Sequence, residues 1–119
     1  MIVVTGAAGF IGSYLVSFLN KKDRENIVIV DDFSFEDKNK NLNGKRIVLQ
    51  VERDEFIDWF EKNADKVTFV FHLGARTNTA EFDEDILQKL NVNYTKSIWK
   101  ICAKHQIGLI YASSAATYG

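Results

Sequence analysis

The sequence predicts an α/β chain: a doubly wound parallel sheet wrapped by helices, with five strands in the order 3-2-1-4-5 and an end just after the fifth. Three observations predict it. Short β-branched runs alternate with segments of helical periodicity, the pattern of successive β-α-β units. A glycine triplet, Gly6, Gly9 and Gly12, stands between the first run and the first helical segment. Right-handed crossovers then place the first strand centrally, with the winding reversing beside it.

The elements follow in order. Ile2 to Thr5 is a compact strand, too short for a helix. Ile11, Leu15, Phe18 and Leu19 recur at helical spacing until polar residues end the pattern near Lys22. Ile27 to Val30 is apolar throughout, as a strand covered on both faces requires. Phe33 to Lys45 is polar, contains Gly44 and reads as a loop. Arg46 to Val51 is the third strand. Phe56, Ile57 and Phe60 mark one face of a short helix with Trp59 on its flank. Val67 to Leu73 is the fourth strand. The longest amphipathic stripe joins Ile86, Leu87, Leu90, Tyr94, Ile98, Ile101 and Cys102, before a last strand from Leu109 to Ser113.

Bulk properties narrow the function. At 119 residues there is room for one domain. A net charge of -1 advertises no field for nucleic acid or an anionic membrane, and neither partner is expected. The charged cluster from Glu36 to Lys45 mixes signs and reads as a solvated loop. No stretch approaches the roughly 20 apolar residues of a membrane helix, and no signal peptide is recognisable. Cys102 is the single cysteine and reads as a reduced core thiol, so a cytoplasmic setting is expected. No metal site is expected.

Chemistry is expected at the carboxyl ends of the strands, after Thr5, Val30, His72 and Ala112. Gly6 allows the tight turn out of the first strand, Gly9 admits a close backbone approach by a pyrophosphate, and Gly12 lets the helix pack closely. The helix that opens at Phe10 and Ile11 offers unpaired amides and the positive end of its dipole to phosphates. Asp31, with Asp32 beside it, stands at about the 20-residue distance expected for a carboxylate on an adenosine ribose. That set predicts a Rossmann-like, dinucleotide-binding turn. Two carboxylates by themselves favour NAD, because they repel a 2′-phosphate; Lys38 and Arg53 offset the repulsion if they fold over the adenosine end. By residue type alone either is a surface charge. His72, a lone histidine at a strand end, reads as satisfying backbone groups and is given no proton-transfer role.

The Thr-Gly-x-x-Gly-x-x-Gly turn resembles that of the extended short-chain dehydrogenase/reductases, the NAD(P)-dependent nucleotide-sugar epimerases and dehydratases. The runs Phe71-His72-Leu73-Gly74-Ala75, Asn91-Val92-Asn93 and Tyr111 to Gly119 strengthen the resemblance, which covers the whole chain. The segments Gly74 to Asp83 and Ser113 to Gly119 narrow it to a branch acting on an ADP-linked heptose. The resemblance implies that Phe10 and Ile11 line the pyrophosphate turn and that Asp31 and Asp32 lie along the adenosine ribose. It also places Lys38 and Arg53 near a 2′-phosphate, which favours NADP. Leu73, Gly74, Ala75, Arg76 and Thr77 would run beside the ribose and nicotinamide, with Asn91 on the long helix near the site. Ser114 matches the catalytic serine that hydrogen-bonds the reacting sugar oxygen.

The family's tyrosine, followed four residues later by a lysine, has no counterpart. Tyr14 is followed at that spacing by Phe18, Tyr94 by Ile98 and Tyr111 by Ala115, while Tyr118 lies one residue from the end. The expectation is therefore the N-terminal portion of such an enzyme, without its substrate domain and inactive by itself, with an apolar edge at the last strand that invites homo-oligomers. The function expected by resemblance is epimerisation at C6″ of an ADP-heptose, through transient oxidation and return of hydride. Another nucleotide-sugar epimerase or dehydratase, or a non-catalytic dinucleotide-binding module, are the alternatives.

Overall fold

The computed structural model describes residues 1–34, 39–73 and 84–111, and of 84–92 the backbone alone. Five parallel strands pair in the order β3-β2-β1-β4-β5, as expected. They are β1 (Ile2–Thr5), β2 (Ile27–Asp31), β3 (Leu49–Glu52), β4 (Phe69–His72) and β5 (Gly108–Tyr111). The central strand carries the register: Ile2 is paired with Ile27 on one side and Phe69 on the other, and Thr5 with Val30 and His72.

Helix α1 (Phe10–Lys21) covers one face of the sheet. The other face is covered by α2 (Phe56–Asn63) and by α3 (Glu84–His105). Two apolar cores result. Val4, Val16, Leu19, Ile27 and Ile29 form the α1 side. Val3, Val28, Val70, Phe56, Phe60, Ile98 and Cys102 form the other. Alternate residues of β1 and β2 feed opposite cores, which is why these runs carry no polar partner face.

Three expectations are corrected. The third strand is shorter than Arg46 to Val51: Asn20 holds Arg46 outside the ladder, accepting from its N–H at 2.8 Å and donating to its carbonyl at 3.0 Å. Helix α1 buries Gly12, Ser13, Val16, Leu19 and Asn20, whereas Ile11 is 66% exposed and Phe18 47%. Close approach at Gly12 rotates the apolar stripe toward solvent. The loop after β2 is not wholly solvated either, since a 3-10 turn (Lys40–Leu42) seats Leu42 against the α1-side core. The fourth strand falls within the expected segment. The fifth begins one residue earlier, and residues 112–113 lie outside the described residues. Among the described residues, no helix is long and apolar enough to cross a membrane.

Candidate functional site

The site begins where β1 ends. Gly6 has φ +67°, a left-handed conformation that turns the chain sharply from Thr5. Ala7 N–H donates to Val30 O at 3.3 Å, and Gly9 N–H returns to Gly6 O at 3.1 Å. Gly9 is the N-cap of α1, with no side-chain cap and no acidic residue in the first turn. The first helical rung is Ser13 N–H to Gly9 O at 2.9 Å, so the amides of Phe10, Ile11 and Gly12 precede any intrahelical acceptor. Together with the helix dipole they form a place for an anion.

Both later glycines are explained by Gly6. A Cβ on Gly12 would lie 2.1 Å from Gly6 O and 2.9 Å from Ala7 Cα, distances that no side chain tolerates. What Gly12 packs against is thus the turn itself. A Cβ on Gly9 would sit 3.3 Å from the same oxygen, tight but nearer to tolerable, leaving open approach as the stronger reason for that glycine.

Asp31 does more here than its type and spacing suggest. It is buried, and its carboxylate accepts from Ala8 N–H at 2.9 Å and from Asp32 N–H at 2.7 Å. It clamps the glycine turn. Asp32 accepts from Ser34 N–H at 3.1 Å and from the Ser34 hydroxyl at 2.7 Å, closing a local turn.

A cleft at the carboxyl ends is lined by Thr5, Gly6, Val30, Asp31, Arg53 and Tyr94. Arg53 begins the turn after β3 and lies over the Tyr94 ring, 5.0 Å from its centroid. Tyr94 Oη donates to Arg53 O at 3.3 Å, tying α3 to the end of β3. One of the two expected cations therefore lines the same cleft as Asp31.

His72 is buried behind two residues of the cleft, bonded to Thr5 and in ring contact with Tyr94. Its Nδ1 lies 2.6 Å from Thr5 Oγ1 and its Nε2 3.0 Å from Thr95 Oγ1, while Leu73 N–H donates to Thr5 Oγ1 at 3.0 Å. Rotation of the two hydroxyls satisfies either neutral tautomer. Burial, and secondarily the Arg53 charge, lower its pKa to about 4, so the ring is neutral near pH 7. His72 thus satisfies hydroxyls rather than backbone groups.

Of the remaining expected residues, Leu73 packs at the edge of the α1-side core. Lys38, Gly74, Ala75, Arg76, Thr77 and Ser114 lie outside the described residues, and Asn91 is on α3 with its side chain outside them. Sequence reasoning missed Asn41, whose Nδ2 donates to Ala8 O at 2.9 Å. The signal was Leu42, an aliphatic residue set among the polar residues from Glu36 to Lys45. It also left Tyr94 in the core stripe, although that ring lines the cleft. Among the described residues no group of His, Cys, Asp and Glu is arranged to hold a metal ion.

The strand order and the glycine turn define a Rossmann-like α/β fold, and comparison with known proteins gives its family. Residues 2–119 match the model of the NAD dependent epimerase/dehydratase family, and the chain belongs to that family. Within it, the chain is similar to ADP-L-glycero-D-manno-heptose-6-epimerases. It is 44% identical over 121 residues to the protein so named from Fusobacterium nucleatum, aligning all of this chain with 36% of that one. With the Brachyspira hyodysenteriae protein of the same name it is 42% identical over 122 residues, aligning all of this chain with 38% of that one. The chain thus spans little more than a third of the relatives it matches. Among solved structures, Helicobacter pylori ADP-L-glycero-D-manno-heptose-6-epimerase superposes with TM-score 0.77 at 26% identity, over 99% of this chain and 40% of that one. The UDP-glucuronic acid 4-epimerase of Bacillus cereus, in complex with NAD, superposes with TM-score 0.75 at 27% identity, over 99% of this chain and 41% of that one.

Proposed function

We propose that this chain is the dinucleotide-binding part of an NADP-dependent epimerase that inverts C6″ of an ADP-linked heptose, in the cytoplasm. The observation that carries the reading is the first turn of α1, where the amides of Phe10, Ile11 and Gly12 precede the first helical rung beneath a backbone with no Cβ at Gly9. These residues fit a diphosphate: donors converge where the chain has no side chain to obstruct it. The identity to heptose epimerases supports the choice of sugar.

A nicotinamide held here would supply reversible hydride acceptance from the sugar, with no net change in the cofactor. The chain's own residues bind and orient. Main-chain amides of Phe10 and Ile11 hold the diphosphate, and Gly6, Gly9 and Gly12 shape their turn. Asp31 and Asp32 face the adenosine ribose. Arg53, which lines the same cleft as Asp31, and Lys38 attract a 2′-phosphate. By the family resemblance Leu73, Gly74, Ala75, Arg76, Thr77 and Asn91 would serve the nicotinamide end of the cofactor, and Ser114 would hydrogen-bond the reacting sugar oxygen. Proton transfer is assigned to no residue here, because the chain contains no Tyr-x-x-x-Lys pair. By itself it is expected to bind nucleotide without turnover.

Calorimetric titration with NADP⁺ and NAD⁺ tests the reading. Tighter binding of NADP⁺, reduced toward the NAD⁺ value by Arg53→Ala or Lys38→Ala, supports it. Equal affinities unchanged by both substitutions exclude the 2′-phosphate assignment, and no binding of either excludes the site. If the chain turns over ADP-heptose by itself, the assignment of proton transfer elsewhere is wrong.

A further inference from the structure

We infer that Asn41, in the loop after β2, is a positioning residue that holds the glycine turn in the shape a diphosphate requires. The inference rests on the reading of that turn as a dinucleotide site. Its basis is the treatment of Ala8 by two distant side chains. Asp31 Oδ2 accepts the Ala8 N–H at 2.9 Å, fixing the peptide between Ala7 and Ala8. Asn41 Nδ2 donates to the Ala8 carbonyl at 2.9 Å, fixing the peptide between Ala8 and Gly9. The N–H of that second peptide is the one returned to Gly6 O at 3.1 Å.

The second peptide is the one whose orientation matters. It leads into Gly9, the N-cap of α1, and a glycine presents little barrier to rotation of the peptide before it. Rotation there would redirect the amides that follow at Phe10 and Ile11. Asn41 holds the carbonyl end, Gly6 the amide end. The loop can apply this hold because Leu42 is seated against the α1-side core and Asn43 N–H closes the turn onto Lys40 O at 3.2 Å. Asn41 itself is exposed, so its substitution leaves both cores intact.

The test compares Asn41→Ala and Asn41→Leu with the wild type, the second variant keeping the side-chain volume without the donor. Each is titrated with NADP⁺, with NAD⁺ and with adenosine 2′-monophosphate, which carries no diphosphate. Both variants are expected to bind the two dinucleotides about three- to tenfold more weakly, the range one hydrogen bond commands, with adenosine 2′-monophosphate unchanged. Unchanged dinucleotide affinity would overturn the inference. So would an equal loss for all three ligands, because Asn41 would then act on the adenosine end. A wild type that binds neither dinucleotide would instead refute the underlying reading, whatever the variants do.

Discussion

Thr5 and His72 face each other across the β1–β4 ladder, hydroxyl oxygen and Nδ1 2.6 Å apart, and Leu73 N–H shares the same hydroxyl. The pair joins the carboxyl ends of two strands beside the glycine turn. His72 is 1% exposed, so charging it means desolvating a cation.

A pH dependence follows. The folded-state pKa of His72 is lowered from 6.5 to about 4, so the unfolded chain binds more protons between those values. Its contribution to stability is full above pH 6.5 and is lost as pH falls toward 4. The full difference amounts to about 3 kcal/mol. Denaturant titrations at pH 7 and pH 4.5 should show this loss in the wild type and a smaller one in His72→Gln. An identical pH dependence in the two proteins would mean that the ring charges freely in the fold.

Gly12→Ala should be the most damaging change at the turn. Its methyl meets main-chain atoms of Gly6 and Ala7, which cannot rotate aside. Overpacking of this kind costs about 1–3 kcal/mol, and relief by shifting α1 would displace the amides of Phe10 and Ile11. Thermal unfolding and NADP⁺ titration should both register it. Gly9→Ala, with its methyl 3.3 Å from Gly6 O, should unfold nearer the wild-type temperature and lose chiefly nucleotide affinity.

Asp31 and Asp32 should separate in stability. Asp31→Ala removes the acceptor of Ala8 N–H in a buried setting and is expected to cost about 1–3 kcal/mol. Asp32→Ala breaks an exposed turn with Ser34 and should cost less than about 1 kcal/mol. Urea unfolding of the two variants measures the difference, and equal costs would show that Asp31 does not clamp the turn.

Cys102 should be inert in the folded protein. Burial raises its thiol pKa to about 11, and the thiolate is the reactive form. Alkylation by iodoacetamide at pH 8 should therefore follow global unfolding. Rapid labelling under native conditions would place the thiol at the surface.

Much was legible from neighbouring residues alone. Ile2 to Thr5 and Ile27 to Val30 announce buried strands because both faces of each are apolar, and the spacing of Gly6, Gly9 and Gly12 records a turn whose constraints are local. Strand order then follows from the handedness of crossovers. The buried side of α1 could not be read this way. Phe18 and Ile11 look like core residues, yet the fit of Gly12 against Gly6 decides which side docks.

The sequence by itself determined the doubly wound sheet, the glycine turn at its centre and the acidic end of β2, since each rests on residue types at short, regular spacing. Only the tertiary structure decided that Asp31 and Asn41 grip Ala8 from 23 and 33 residues away, and that Arg53 meets Tyr94 across 41 residues. Such contacts form where separate strand ends and loops converge after the chain has wound both ways. Periodicity records which face of an element is apolar; it carries no record of what that convergence brings together.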